Sequence, residues 1–225
     1  MLITFSGMVG SGKSKNAQNT LLLLQQEFGY APHYLRFRML GWWQLLNPPS
    51  RAPWQLREDS PATKPPRALM TASRKRRLGL DKRLSTLVFL GYLLRILRFR
   101  IYRFLYHRRD LLVLNRYFYD NLAQFRAANA REQKYLRLLL AAIPKPDLAF
   151  LMVVRPETAL QRRASYHRHE LQQLAENYAR IQKWVSRLMV IATDNLSLVD
   201  SQIEKSVRAV FHQEQMRLHE EKNAS

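Results

Sequence analysis

The sequence predicts an α/β fold with a five-stranded parallel sheet that helices cover on both faces. Two observations carry this prediction: short apolar runs alternate with helical segments, and the run at 148–154 is apolar throughout, as in a strand buried on both sides. The 225 residues suffice for one such domain, and no internal repeat divides them. We therefore expect a single domain over 1–225, with an irregular basic insertion at 39–83.

The individual elements follow from periodicity and from residues that start or end helices. Strands are predicted at 2–5, 33–38, 111–114, 148–154 and 190–192. Helices are predicted at 13–28, 84–107 and 121–142, from Pro156, at 170–189, and from 201 to about 220. Gly29 suits the end of the first helix, and Pro156 suits the first position of its own. Six of the ten prolines lie within 47–66, which predicts a loop there.

Composition excludes several classes of protein. The chain has no cysteine, which excludes disulfides, thiolate–zinc sites and cysteine nucleophiles, and its six histidines show no H-x-x-x-H spacing. The formal net charge is +20: residues 67–83 carry seven Lys or Arg against one acid, and residues 84–109 carry six Arg and no acid. Such a charge favours nucleic acid, anionic lipid or phosphorylated substrates as partners. No signal peptide is recognisable, so we expect a cytoplasmic protein.

The predicted helix at 84–107 has apolar residues at three- and four-residue spacing. They form one stripe: Leu87, Leu90, Leu94, Leu97, Ile101 and Phe104. Four arginines in the opposite half argue against a transmembrane segment: Arg95, Arg98, Arg100 and Arg103. We expect the stripe to pack on the sheet, with the arginines in solvent or along an acceptor cleft. The alternative is that the basic region 67–109 contacts an anionic membrane or another polyanion, which would make the protein peripheral to the membrane.

The segment after the first predicted strand carries the clearest chemical signal. Residues 7–14 read Gly-Met-Val-Gly-Ser-Gly-Lys-Ser, which satisfies G-x-x-x-x-G-K-[ST] between a strand and a helix. This pattern is the phosphate-binding loop (P-loop), whose glycines let backbone N–H groups surround a phosphate chain, and it indicates the three-layer α/β/α sandwich of P-loop NTPases. Lys13 would reach the β- and γ-phosphates, and Ser14 would ligate Mg²⁺. The predicted cofactors are thus ATP and Mg²⁺, at a site formed by Gly7, Val9, Gly10, Ser11, Gly12, Lys13, Ser14 and Lys15.

A second constellation follows the third predicted strand. Asn115-Arg116-Tyr117, with the Pro-Asp-Leu and Pro-Glu-x-Ala-Leu-x-Arg segments of 146–162, resembles the thymidylate kinase family of P-loop nucleoside monophosphate kinases. The order and spacing of elements are similar along the chain except at about 39–83. The resemblance implies that Arg116 binds the phosphate of an acceptor. It also implies a mobile lid at about 155–170 whose arginines neutralise charge on the transferred phosphoryl group, with Arg162 and Arg163 as the candidates for catalysis.

The chain differs from that family at positions that would bind the acceptor and the metal. Val9 replaces a carboxylate that contacts the nucleotide sugar, and Asn115 and Val153 replace two aspartates. Asp120 is the nearest acid that can substitute at the metal, although an aspartate at such a junction is more often a helix cap. The second predicted strand lacks the family's R-E-P-G-G-T and ends in arginines instead. The candidates for binding the acceptor are Arg36, Arg38, Arg116 and Asp120.

Three functions stay open on the sequence alone. The first is an ATP-dependent phosphotransferase of thymidylate-kinase type that phosphorylates a nucleotide or another small phosphorylated or hydroxylated acceptor. The second is a degenerate P-loop protein that binds a nucleotide without transfer, because Asn115 and Val153 are neutral. The third is an ATPase that binds nucleic acid or an anionic membrane through its basic surface. The sequence has no OB, RRM or helix-turn-helix signature, which counts against nucleic-acid binding. A homodimer is compatible with each of them.

Overall fold

A computed structural model of the chain describes residues 1–36, 80, 82–108, 110–162 and 166–223. These residues form an α/β fold in which seven helices accompany a five-stranded sheet whose strands all run parallel. The predicted parallel sheet of five strands is therefore confirmed. Most of the predicted basic insertion lies outside the described residues.

The sheet has the order β2-β3-β1-β4-β5. Its strands are β1 (Leu2–Gly7), β2 (His33–Arg36), β3 (Leu112–Asn115), β4 (Leu148–Val153) and β5 (Leu188–Ala192). The helices are α1 (Lys13–Gln26), α2 (Thr86–Tyr106), α3 (Phe118–Leu122), α4 (Ala130–Ala142), α5 (Pro156–Arg162), α6 (Arg168–Trp184) and α7 (Leu196–Asn223). The neighbouring strands β1 and β3 lead into helices on opposite faces, so a crevice opens at their carboxyl ends.

Two buried clusters hold the sheet between its helices. Successive residues of β1 point to opposite faces, so that Leu2 joins one cluster while Ile3 and Phe5 join the other. The first cluster includes apolar side chains of α2, α4 and α6, and the second includes those of α1 and α7. Phe5 stacks on Phe150 of β4, with ring centroids 5.0 Å apart. Helices thus cover both faces of the sheet, as the sequence predicts.

Three helix predictions are wrong at their boundaries. The last helix, expected from 201, begins at Leu196. The single helix expected at 121–142 is two helices, because Ala127 has a positive φ of 48° and Asn129 caps a new helix by accepting a hydrogen bond from Glu132 N at 2.9 Å. The helix expected at 170–189 ends at Trp184, and its last apolar residues belong to β5. A short apolar segment fits either periodicity, and here pairing with β4 decides for a strand.

The helix α2 packs on the molecule through a different face from the predicted one. Its buried residues are mainly aromatic: Tyr92, Ile96, Phe99 and Tyr102. Ring contacts join them to the segment after β3, as between Phe99 and Phe118, whose centroids are 5.6 Å apart. The predicted stripe is instead 43–82% exposed, at Leu87, Leu90, Leu94, Leu97, Ile101 and Phe104. The prediction that the stripe packs on the sheet is therefore wrong, since α2 has two apolar faces and the aromatic one is buried.

Within the described part of the chain, every helix lacks the length or the apolar character that crossing a membrane requires.

Candidate functional site

The carboxyl ends of the parallel strands open onto a cavity of about 450 Å³. We call the segment that follows β1, residues 7–14, the glycine-rich loop. It lines the cavity together with residues after β3 and on α5 and α6. The lining is Gly7, Val9, Gly10, Gly12, Lys13, Ser14, Lys15, Leu80, Asn115, Arg116, Asp120, Gln124, Arg162, Tyr166, Leu174 and Tyr178. Residues that the sequence singled out in three separate segments therefore surround one cavity.

Two positions of the glycine-rich loop require glycine for different reasons. Gly7 has a φ of 139°, and a Cβ built there would lie only 2.1 Å from Met152 O of β4. Gly12 has a φ of 81°, in the left-handed region, directly before α1 begins. The first glycine thus lets the loop pass close to β4, and the second lets the chain turn into the helix.

The amino-terminus of α1 fits an anion that is not part of the chain. No side chain caps this helix, and its first turn contains no acidic residue. It carries Lys13 and Lys15 instead, although the helix dipole disfavours cations at this end. Backbone N–H groups with no partner inside the helix, the Lys13 ammonium and a positive dipole end all favour bound phosphate. The donors present therefore fit the polyphosphate of a nucleotide.

The ammonium group of Lys13 lies over the glycine-rich loop. Its Nζ donates hydrogen bonds to Gly7 O at 2.8 Å, to Met8 O at 2.5 Å and to Ser11 Oγ at 3.3 Å. The Ser11 hydroxyl is fully buried and itself donates to Met8 O at 2.8 Å, so it supports the loop from within. The charge of Lys13 is thereby placed at the mouth of the loop, where phosphate oxygens would be received.

Ser14, the predicted metal ligand, is joined to β3. Asn115 Nδ2 donates to Ser14 Oγ at 2.9 Å and to Tyr34 OH at 2.8 Å. A half-turn of the carboxamide would present Oδ1 to the same two hydroxyls, which would then donate to it. In that orientation the lone pairs of Ser14 Oγ are available to a cation. A neutral amide therefore occupies the place where the resemblance expects an aspartate.

Asp120, predicted to bind the acceptor or replace the metal ligand, is buried and bound to protein groups. Its Oδ1 accepts from Gly7 N at 3.2 Å and from Tyr178 OH at 3.0 Å, and its Oδ2 accepts from Tyr117 N at 2.9 Å. The last bond stabilises the start of α3, because Asp120 lies in the first turn of that helix and accepts from the N–H of the residue that precedes it. Asp120 thus joins the glycine-rich loop to α3 and α6.

The sequence gives no signal for Tyr178, which reads as an ordinary apolar-face residue of α6. Its single hydroxyl proton is shared between Asp120 Oδ1 and Gly7 O, which lies 2.9 Å from the hydroxyl oxygen, so Tyr178 bridges the two residues. Burial raises the pKa of the Tyr178 phenol well above its usual value, and the neighbouring charge and hydrogen bond of Asp120 raise it further. The phenol therefore stays protonated and keeps donating at physiological pH.

Arg116 combines a strained backbone with an exposed side chain. Its φ is 77°, in a region that residues other than glycine rarely adopt, and its N–H donates to Phe5 O of β1 at 2.9 Å. Among the described residues, its guanidinium makes no hydrogen bond or ion pair. Such strain is found where a site needs a particular side-chain direction. Here the guanidinium is exposed and lines the cavity together with the glycine-rich loop.

The arginines of the predicted lid contact other protein groups wherever they are described. Arg162 donates to Gly10 O at 3.2 Å and to Thr193 O at 2.9 Å, so it bridges the glycine-rich loop and the loop after β5. Arg155 pairs with Asp194 at 3.2 Å, and Arg168 pairs with Glu157 at 2.6 Å. These ion pairs tie α5 to its neighbours. Arg163 lies outside the described residues.

The four remaining residues of the predicted site are Lys15, Val9, Arg36 and Arg38. Lys15 extends away from the loop toward α7, where its Nζ lies 3.3 Å from Asp200 Oδ2. Val9 is half-buried against the core and lines the cavity. The backbone of Arg36 pairs with Asn115 at the same edge of the sheet, but its side chain and the whole of Arg38 lie outside the described residues.

A second polar cluster lies at the opposite, amino-terminal edge of the sheet. His107 Nδ1 is 2.9 Å from Asp110 Oδ2, and His33 Nε2 is 3.4 Å from the same oxygen. The other ring nitrogen of His107 is 2.9 Å from Tyr102 OH. Sequence spacing could not reveal this cluster, because β2 and β3 bring together residues that are far apart in the chain. Hydrogen bonds within the cluster account for its arrangement.

Comparison with known proteins does not assign this chain to a family. No protein-family model matches the sequence, and a search of the curated proteins finds no match. The function has to be argued from the residues of the cavity themselves.

Proposed function

We propose that this chain is an ATP-dependent phosphotransferase of thymidylate-kinase type, built on the P-loop α/β/α sandwich and acting on a small phosphorylated or hydroxylated acceptor. One observation carries the proposal. Within the described part of the chain, the start of α1 carries Lys13 and has no side-chain cap, the Arg116 guanidinium makes no hydrogen bond or ion pair, and both line the same cavity. A phosphotransferase with a phosphorylated acceptor needs two such anion sites, one for the donor and one for the acceptor.

The donor side is the glycine-rich loop with the start of α1. When bound, Mg²⁺–ATP supplies the transferable phosphoryl group together with charge that neutralises its oxygens. Lys13 exchanges its loop carbonyls for phosphate oxygens, which attract an ammonium more strongly because they are charged. Arg162 holds Gly10 against the loop after β5, so it keeps the donor side in shape.

The acceptor side is Arg116. A guanidinium can form two parallel hydrogen bonds with a phosphate or carboxylate, which orients the acceptor as well as binding it. The positive φ of Arg116 supports this assignment, because strained backbone is concentrated at ligand-binding sites and Arg116, unlike Ala127, lines the cavity. Holding donor and acceptor in line is the main contribution that a protein makes to phosphoryl transfer.

The metal would be held by Ser14, with Asn115 orienting its hydroxyl. Mg²⁺ in such sites keeps several waters and relies on substrate phosphates, so a single protein oxygen is compatible with binding. The acid of the cavity lining, Asp120, already accepts from three protein donors. These two observations favour a second candidate function as well: a protein that binds Mg²⁺–ATP without transferring its phosphoryl group.

The test measures nucleotide binding and turnover separately. Saturating Mg²⁺–ATP should raise the melting temperature, since a ligand at about 100 times its Kd stabilises the fold by about 2.7 kcal/mol. Acceptor-dependent ADP release is then assayed over nucleoside monophosphates, sugars and sugar phosphates. Thymidine monophosphate should be a poor acceptor, because Val9 offers its sugar no carboxylate. Absence of any nucleotide-dependent shift would reject both functions, and a shift without turnover would select the second. Cytoplasmic location and a homodimer stay predictions.

A further inference from the structure

The exposed apolar stripe of α2 has no role in the proposed phosphotransferase. It comprises Leu87, Leu90, Leu94, Leu97, Ile101 and Phe104, on the side of the helix opposite the buried aromatic residues. From Leu87 to Phe104 it extends about 26 Å along the helix axis. Leu105 is exposed beside it. A continuous apolar surface of this length indicates a binding surface rather than ordinary scattered exposure.

Arginines lie along both edges of the stripe. At 100° per residue, Arg98 lies on one flank and Arg100 on the other, where it donates to Ala142 O at 2.8 Å. Arg95 lies further round beside Arg98, and its guanidinium is 5.0 Å from the Tyr92 ring centroid. No acidic residue occurs from 84 to 109. The surface is therefore apolar along its centre and cationic along its margins.

The charge of this surface decides between its possible occupants. A second copy of the chain would bring a second row of arginines against the first, and each chain carries a net charge of +20. The segment 37–79 is a poor cover too, because it contains nine Lys or Arg and only two acids. An anionic bilayer complements both parts of the surface: its phosphates meet the arginines, and its acyl region receives the leucines.

We propose that α2 binds the surface of an anionic membrane, with its exposed stripe inserted at the headgroup–acyl boundary and the helix axis in the membrane plane. The flanking arginines contact lipid phosphates, so binding needs both apolar burial and negative charge. The inference is independent of the reaction in the cavity, since it rests on α2 alone.

The experiment is flotation of the purified full chain with two sets of vesicles, phosphatidylcholine alone and phosphatidylcholine containing about a third phosphatidylglycerol. The test variant is Leu94→Gln/Leu97→Gln, whose residues are 43% and 52% exposed. The matched control is Leu138→Gln/Leu198→Gln, on α4 and α7, whose residues are 47% and 58% exposed. Both variants alter only exposed side chains, so both should melt within a few degrees of the wild type.

The wild type and the control variant should float with the anionic vesicles, and the test variant should bind at least about tenfold more weakly. Phosphatidylcholine alone should bind the wild type at least about fivefold more weakly for each arginine that reaches the headgroups. Equal binding by the test variant, or no binding to anionic vesicles, would overturn the proposal. So would a wild-type dimer that the test variant converts to a monomer in light scattering, since a second copy would then be the occupant.

Discussion

The carboxylate of Asp120 holds the first residue of the glycine-rich loop, with Oδ1 accepting a hydrogen bond from Gly7 N at 3.2 Å. The two residues are 113 positions apart in the chain. Tyr178 reaches both of them, because its hydroxyl lies 2.9 Å from Gly7 O and 3.0 Å from Asp120 Oδ1. The start of the loop is therefore positioned by α3 and α6 as well as by its own glycines.

Asp120→Asn should lower the free energy of unfolding by about 1–3 kcal/mol. The new NH₂ group would face one of the N–H or O–H groups that now donate a hydrogen bond to Asp120, so two donors would meet without an acceptor. Tyr178→Phe should cost about 1 kcal/mol by removing one donor from the same network. Urea unfolding measures both. Asp200→Asn, which breaks only the exposed ion pair with Lys15, is the control and should change stability by less than about 1 kcal/mol. An Asp120→Asn protein of unchanged stability that no longer responds to Mg²⁺ would instead make Asp120 a metal ligand.

Lys13→Ala should weaken ATP binding by at least about tenfold, since it removes the charge centred on the glycine-rich loop. Titration of a fluorescent ATP analogue measures the effect. Lys205→Ala removes the same charge from an exposed position on α7 and should leave the affinity unchanged. Equal losses in the two variants would mean that overall charge, and not the loop, attracts the nucleotide.

Arg116→Ala should abolish acceptor-dependent ADP release and leave ATP affinity nearly intact, because Arg116 faces the cavity across from the donor loop. Arg116→Lys should restore only part of the activity, since an ammonium cannot form the paired bonds of a guanidinium. Arg116→Gly should be inactive as well, yet more stable than Arg116→Ala by about 1 kcal/mol, because glycine accepts a φ of 77° without strain. Turnover and melting temperature are compared on the same preparations, with Arg126→Ala as the exposed-arginine control. Wild-type turnover in Arg116→Ala would remove the acceptor assignment.

Asn115→Asp should lower the Mg²⁺ concentration needed for half-maximal ATP binding by about tenfold, because it adds a negative charge beside Ser14 Oγ. The same change should reduce stability without ligand, since Asn115 is buried. Mg²⁺ titrations at fixed ATP measure the first effect. Asn129→Asp adds the same charge at the cap of α4 and serves as the control. An unchanged Mg²⁺ requirement in Asn115→Asp would show that the metal does not bind next to Ser14.

Stability should fall as the pH rises from about 10 to about 12, because burial raises the pKa of Tyr119 to about 12. In this range the unfolded chain loses the phenolic proton while the folded chain keeps it, so ionisation favours unfolding. The contribution of Tyr119 is about 2–3 kcal/mol, present in full below pH 10 and lost by pH 12. Urea unfolding of Tyr119→Phe across this range should show a smaller fall in stability than the wild type. Tyr135→Phe should not, because Tyr135 is only half-buried and its phenol pKa is not raised. Equal pH profiles for wild type and Tyr119→Phe would contradict the assignment.

Prediction from sequence succeeded where short-range preferences are strong. The glycine-rich loop is readable because its glycines adopt positive φ values at positions between an apolar strand and a helix. The sequence did not predict the interruption of the helix at Ala127 or the end of α6 at Trp184. In both places the pattern of apolar and polar residues continues across the boundary, so a capping residue such as Asn129 is not recognisable. The role of Tyr178 was missed as well, since one tyrosine on a helix face gives no pattern.

The sequence by itself determined the class of the fold, the loop after β1 and the order of strands and helices along the chain. These features depend on conformational preferences and periodicities that act within a few residues. Only the tertiary structure decided the strand order β2-β3-β1-β4-β5, the burial of Tyr92 and Phe99 in place of the leucine stripe, and the bonds from Asp120 to Gly7 and Tyr178. Each of these depends on which surfaces meet between segments that are far apart in the chain, such as the 58 positions between Asp120 and Tyr178, or on which of two apolar faces packs better. Patterns within a few residues of sequence do not predict which of these surfaces will pack together.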